Sequence, residues 1–491
     1  MSVISAIRRR SNAPTYVILF AGLILALIAS FAPVYGLIAV TLLVLTAALL
    51  GWPYLGLFAL IMTTPFISIA NIPLFSFGGQ TAPLTPNDIL LPIVVAGWLV
   101  RRLMAGRLMT DRIVRWAFAF VIMDIVSLAA NLAWMSKSEF LVASLYLARW
   151  IGYMLIYLVV WHTLEDQHQV KKFINALVGS GIVVVLLGFL QLRFFPNVSQ
   201  IVAIANGDPA SLQNLDPHQG RLVSVFLEPN HLSGYFLIFV SICFSFAFAG
   251  KNRRTNPFWF CLLAVFVIAI MLTQSRAAIL GLAAMALVMS KSRVRLVSLI
   301  LLVGVLITVM FTSSTYDKMK GMFSSSQPSA YKVNIAGVNL RVDGSAYLRT
   351  LVWREAIRTI EKYPVTGCGY NAYRFGAAKA NKRPLSQSRG AAGAANSYLT
   401  ILATTGIVGL TIYLGMIWNI IRYFSRTAGS QANSLAAILS FATAGAMIGL
   451  AVHALSIDSL LFPQIMFTMW ALAGATKAAS KLKAGGAHEG S

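Results

Sequence analysis

Apolar runs of about 20 residues, the length that crosses the hydrocarbon core of a bilayer, recur along the whole chain. They fall near 15–33, 36–50, 54–70, 87–101, 114–133, 140–161, 173–192, 231–249, 257–273, 276–290, 296–313, 396–421, 433–453 and 459–476, about fourteen spans among 491 residues. Of all residues 58% are hydrophobic and 11% charged, too little charge to solvate a water-facing surface of this size. A chain inside a bilayer must satisfy its backbone polar groups internally. The expected fold is therefore all-α, a polytopic transmembrane helical bundle.

Charge orients the bundle. With a cytoplasmic amino terminus every second connection should be basic. Arg8, Arg9 and Arg10, the arginines around 101–115, Lys171 and Lys172, and Lys251, Arg253 and Arg254 follow that alternation. Lys291, Arg293 and Arg295, then Arg422 and Arg426, then Lys477, Lys481 and Lys483 continue it. Both termini are expected on the cytoplasmic side, and the first apolar segment reads as an uncleaved anchor. The expected division is a cytoplasmic start at 1–13 and eleven spans within 14–313, interrupted by an outer loop at 193–230. A large outer loop at 314–395, three spans at 396–478 and a disordered tail at 479–491 complete it. No internal repeat is apparent.

The large loop breaks the charge rule. Residues 314–393 carry thirteen Lys or Arg against four Asp or Glu, a basic lid that attracts anions. The net charge of +24 fits lipid head groups and anionic lipid-linked substrates rather than nucleic acid. Cys243 and Cys261 fall in apolar spans as packing residues, and Cys368 has no evident partner, so neither a disulfide framework nor a zinc site is suggested. Outer loops lack an acidic DxD pair, and there is no Walker loop, GxSxG or HExxH; no metal and no cofactor are expected.

Polar residues gather at the outer starts of helices. Residues 346–363 read as an amphipathic helix stopped by Pro364 and Gly367. At about 100° per residue, Val352, Trp353, Ala356 and Ile360 share a face with Arg349, whereas Arg354, Arg358 and Lys362 lie opposite. A guanidinium facing a core is costly unless it meets an anion, so Arg349 is either a phosphate clamp or a snorkelling arginine. In "FLEPNHLSGYF" (226–236), Asn230 is expected to cap the eighth span and Pro229 to set its entry. Glu228 is not needed as a cap; it is a candidate general base or a structural partner of Arg221. Ser275 and Arg276 open the tenth span and Asn396 and Ser397 the twelfth, while His453 and Asp458 precede the fourteenth. Arg221, Arg276 and Arg349 together would make a phosphate-binding floor, with Asn230, His231, Arg341, Asn396 and Asp458 around the substrate. Asp124 and Arg149, halfway along adjacent spans, are expected to pair with each other.

Five stretches resemble the O-antigen ligase/polymerase family of bacterial inner-membrane proteins. They are "GRLVSVFLEPNHLSGYF" (220–236), "TQSRAAILGL" (273–282), "YLRTLVWREAIRTIEKYPVTGCGYNAYRF" (347–375), "NSYLTILATTGIVGLTIYL" (396–414) and "DSLLFPQIMFTMWALAGA" (458–475). The resemblance implies metal-free transfer of glycans from undecaprenyl-pyrophosphate carriers at the periplasmic face, with Arg221 and Arg349 on the pyrophosphate and the outer loop closing over the donor. It implies an inner-membrane enzyme whose partners are the carrier-linked glycan, the phospholipid membrane, a chain-length regulator and export machinery. The family's His-Asn pair is Ala395-Asn396 in this chain. Since that histidine is linked with the ligase site, a polymerase joining repeat units is favoured over a ligase to lipid A core, with Glu228, His231 or His453 left as candidate bases. A lipid-linked oligosaccharide flippase and an inactive scaffold are the other readings; a flippase would show internal repeats and a charged midplane cavity.

Overall fold

The computed structural model describes residues 53–69, 72–77, 80–104, 106, 110–195, 220–248, 256–289, 331–335, 338–342, 344–383, 393–430 and 434–485. The runs at 15–33, 36–50 and 296–313 lie outside these residues, as does most of 193–230. Helix α1 is Pro53–Thr63, continued by a 3-10 turn, Thr64–Ser68. A hairpin of β1 (Ile72–Phe77) and β2 (Gln80–Leu84) follows, then α2 (Pro86–Met104), α3 (Arg112–Ala130), α4 (Lys137–Thr163) and α5 (Gln167–Phe194). Next come α6 (Pro229–Ala247), α7 (Pro257–Leu272) and α8 (Arg276–Met289). A second hairpin, β3 (Tyr331–Ile335) and β4 (Val338–Val342), leads into α9 (Gly344–Lys362) and α10 (Tyr373–Ala380). The chain closes with α11 (Ser397–Ser430), α12 (Leu435–His453) and α13 (Pro463–Gly485). The fold is all-α, with two short antiparallel hairpins as its sheet structure among the described residues.

Six of these helices, α3, α4, α5, α6, α11 and α12, are long and apolar enough to cross a membrane, and α1, α7 and α8 are shorter apolar helices. Helix α6 is buried almost all round, as expected of a helix whose every face is apolar. It packs on α7 and α12, and Phe239 stacks on Phe266 of α7 with centroids 5.1 Å apart. Helices α8 and α12 cross where a side chain at Gly281 would meet the carbonyl oxygen of Gly449 at 2.7 Å, so the absence of Cβ atoms is what allows the backbones to approach.

Helix α11 departs from the uninterrupted span expected at 396–421. Gly406 sits at φ 68° and ψ −171°, kinking it. The kink is a docking point: Cys368 N–H donates to Ala403 O (2.9 Å), Gly369 N–H to Thr404 O (3.1 Å) and Ile407 N–H to Pro364 O (2.9 Å). Backbone groups freed from the helix are thus satisfied by the loop after α9, as burial demands. Gly367, at φ 72°, touches the same turn so closely that a Cβ would stand 2.1 Å from the Thr404 carbonyl carbon. From α3, Ser127 Oγ donates to Thr404 O (2.6 Å) and Asn131 Nδ2 to Gly367 O (3.0 Å).

The expected Asp124–Arg149 pair does not form. Arg149 meets Asp88, in the first turn of α2, with Nε–Oδ1 at 2.6 Å and Nη2–Oδ2 at 2.7 Å. Neighbouring spans placed Asp124 at a similar depth, but α4 packs against α2 as well as α3, and the Asp88 carboxylate offers a bidentate match to the guanidinium. The Asp124 carboxyl is fully buried without a hydrogen-bond partner. Cys243 and Cys368 are buried, but Cys261 is exposed on α7, so it does not pack in the core.

Candidate active site

The segment 221–231 forms one wall of the site. Gln191 of α5 accepts from Val223 N–H (3.1 Å) and Ser224 N–H (3.4 Å), and Ser224 Oγ donates to Val184 O (2.7 Å). These bonds hold Ser224 at φ 48°, and Leu227, just before the α6 cap, also sits at φ 57°; such left-handed conformations cost non-glycine residues about 1–3 kcal/mol each. The chain then enters α6 through Pro229. Glu228, not Asn230, is the N-cap: its Oε1 accepts from the Asn230 N–H (3.3 Å) and from Asn230 Nδ2 (2.6 Å). With proline in the first helical position, Asn230 lies inside the turn, where it positions the Glu228 carboxylate instead of capping. Gln191 had no signal in the sequence beyond being an amide in an apolar run.

Three arginines meet across this wall. Arg221 donates from Nε to Thr273 O (2.9 Å), and Leu222 N–H donates to Leu272 O (2.9 Å). Thr273 ends α7 and Arg276 begins α8, so this anchoring draws Arg221 to the α7–α8 turn. Arg349 arrives from α9, half-buried, while Arg354, Arg358 and Lys362 on that helix are exposed, in keeping with the amphipathic periodicity. Burial pushes the Arg221 guanidinium below its ordinary pKa; Glu228 opposes this, and the like charges of Arg349 and Arg276 add to it. Three cations and one carboxylate therefore lie within electrostatic reach, an arrangement that repels itself and is relieved by an anion.

Behind the cluster sit two histidines. His231 stacks on Phe462, with centroids 3.9 Å apart and planes at 9°, and its Nδ1 has no hydrogen-bond partner. His453 is fully buried; its Nδ1 is 2.9 Å from Ser459 Oγ and its Nε2 3.4 Å from Ser233 Oγ. Asn396 caps α11, accepting from Tyr398 N–H (2.9 Å) and Leu399 N–H (3.1 Å), and donates to Leu455 O (2.7 Å). Asp458 accepts from Asn396 N–H (3.0 Å) and Thr400 Oγ1 (2.8 Å). Burial pushes its carboxyl up to about 6, against the hydrogen bonds from Thr400, Ala395 and Asn396 that favour the charged form. Asp458 thus fastens the start of α11 to the α12–α13 connection. Arg341 stands on β4 with Lys332 as its Cα partner. The structure brings together Arg221, Glu228, Arg276 and Arg349, sets Asn230 and His231 in the same helical turn as Glu228, and gives Asn396 and Asp458 to a separate hydrogen-bonded node. Among the described residues no group of three or more His, Cys, Asp or Glu could hold a metal ion.

Fold and site together define a multi-pass helical membrane protein with a cationic cradle at one end of its bundle. Residues 259–414 match the family model described as O-antigen ligase, so that segment is similar to the O-antigen ligase/polymerase family. The match runs from α7 to the middle of α11. It takes in Arg276, Arg349 and the Gly406 kink, and leaves the 220–236 and 458–475 stretches outside it. No curated protein matches the chain.

Proposed function

We propose that the chain transfers glycan from a polyprenyl-pyrophosphate carrier, without a metal ion, at the periplasmic face of the bacterial inner membrane, joining repeat units into a polysaccharide. The observation that supports this reading is that Glu228, Arg276 and Arg349 all lie within electrostatic reach of the Arg221 guanidinium. A pyrophosphate leaving group gains negative charge as the glycosidic bond breaks, and preorganised cations in a partly buried site stabilise that charge. Arg221 and Arg349 are both half-buried and are assigned to the pyrophosphate; Arg276, exposed at the start of α8, stands at its rim.

Glu228 orients the attacking sugar hydroxyl and takes its proton. The hydroxyl oxygen attacks the anomeric carbon with inversion as the carbon–oxygen bond to the carrier pyrophosphate breaks, and the electron pair leaves with the pyrophosphate. The Asn230 contacts hold the Glu228 carboxylate in one orientation. Polymerisation is favoured over ligation to lipid A core because Ala395 stands where the family resemblance has its ligase-linked histidine, and alanine supplies no imidazole.

The test is polymer length in a deletion strain complemented with wild type, Arg221→Ala, Arg349→Lys or Glu228→Gln at equal protein level in the membrane. Single repeat units accumulating on the carrier while long chains vanish is the expected result. Long chains retained on the carrier with only their attachment to lipid A lost would make the protein a ligase. Full-length polymer from every variant would overturn the site.

A further inference from the structure

A second opening is lined by residues on both sides of Phe462 in the chain, Leu461 and Pro463. It is a crevice of about 80 Å³ whose lining includes Thr85, Tyr146, Arg149, Trp150, Tyr153 and Asn371. One water needs about 10–15 Å³, so there is room for a ligand fragment and not only for solvent. Two of its donors are unmet: Trp150 Nε1 and Asn371 Nδ2 are buried without a hydrogen-bond partner. Buried donors left without an acceptor are costly, and here both belong to the lining of one crevice. Arg149 does not make the crevice an anion site, because Asp88 holds it in a bidentate pair, with Nε–Oδ1 at 2.6 Å and Nη2–Oδ2 at 2.7 Å. What remains is three aromatic side chains, unmet N–H donors and a neutralised charge. That combination suits a ligand with apolar ring faces and neutral oxygen acceptors, which describes a sugar.

Its position links it to the arginine cradle. Leu461 and Pro463 also line the crevice, and the residue between them, Phe462, stacks on His231, which shares the first turn of α6 with the Glu228 cap. Asn371 sits at φ 57° in the loop that Cys368 and Gly369 dock on the α11 kink, so its backbone is fixed by that docking. We propose that this crevice is a glycan-binding subsite, taking a sugar of the acceptor chain while the arginines hold the donor's pyrophosphate. The inference rests on the glycosyl-transfer reading above.

The experiment uses the full-length protein in detergent and two probes measured separately by calorimetry. One is the single-repeat oligosaccharide released by mild acid from the host's own lipid-linked repeat unit; the other is inorganic pyrophosphate. Trp150→Phe keeps the ring and loses the N–H, and Asn371→Asp keeps a side chain that tolerates positive φ while replacing the donor with an acceptor. Each is expected to weaken oligosaccharide binding about tenfold, the scale of one lost hydrogen bond in a buried site, and to leave pyrophosphate binding unchanged. Arg349→Lys should do the reverse. An oligosaccharide that does not bind wild type, or that binds Asn371→Asp as tightly as wild type, overturns the subsite. Pyrophosphate that binds Arg349→Lys and wild type alike instead counts against the carrier site, and so against the reading on which the subsite rests.

Discussion

Glu228 serves two ends with one carboxylate, and the two can be separated. It caps α6 through Asn230, and under the proposed mechanism it also takes a proton. Glutamine keeps an acceptor oxygen for the cap and loses the charge. Glu228→Gln is expected to unfold at the wild-type temperature yet lose about 10²–10⁴ in turnover, whereas Glu228→Ala should also lose about 1 kcal/mol of stability with the cap; thermal unfolding alongside repeat-unit turnover checks both. Asp458 makes a pH prediction. Its pKa rises from the usual 3.8 to about 6 on folding, so between those values the folded state holds a proton that the unfolded state has released. Stability should fall as pH rises through that window, by about 3 kcal/mol in total, and be level above it. The same titration on Asp458→Asn should be flat there; a wild-type profile that rises instead would contradict the assignment. The sequence marked Glu228, Arg221 and Arg349 as unusual because charge near an apolar run is conspicuous. It did not show that Glu228 caps its helix, since glutamate is a poor cap in general and Pro229 displaces Asn230 from that position.

Hydropathy located α3, α4, α6 and α12 to within a few residues, because a bilayer enforces a length of apolar chain that simple counting finds. The kink in α11 left no such trace: a glycine in an apolar run does not announce that a loop from 40 residues upstream docks on it. There a Cβ on Gly406 would stand 2.0 Å from Val365 O, which no side-chain adjustment relieves. Gly406→Ala should therefore release the 364–372 loop, seen as new protease cleavage in that loop and a fall in thermal stability of several kcal/mol; an uncut loop would show that the kink is not its anchor. Depth along adjacent spans likewise misled the pairing of Arg149, because two carboxylates at similar depth are indistinguishable until packing chooses. Removing Asp88 should cost about 3–5 kcal/mol by leaving Arg149 uncompensated, while Asp124→Asn should cost far less, since no hydrogen bond of that carboxyl is lost. Chemical denaturation of the two variants in matched detergent compares them directly.

Across the whole molecule, one end of the bundle collects the chemistry. The entry to α6, the α7–α8 turn, the docked loop after α9, the start of α11 and the α12–α13 connection all meet there, joined by Arg221–Thr273, Asp458–Asn396 and the α11 kink. A membrane protein that acts on a lipid-borne phosphate needs its cations at the depth of the head group, and an apolar bundle with a cationic rim provides that. The basic character of 314–393 was legible from composition, and the polar helix starts suggested a shared floor for Arg221, Arg276 and Arg349; the Arg221–Thr273 bond that anchors Arg221 there was not legible, because it goes to a backbone carbonyl that any side chain could meet. The most direct test of the central claim is turnover of a purified lipid-linked repeat unit by the purified protein in lipid nanodiscs with excess EDTA, comparing wild type with Arg221→Lys and Arg349→Lys. The account predicts long polymer and free polyprenyl pyrophosphate from wild type, and about 10²–10³-fold slower turnover in each variant at unchanged folding. Wild-type turnover abolished by EDTA, or variants that polymerise at the wild-type rate, would contradict it.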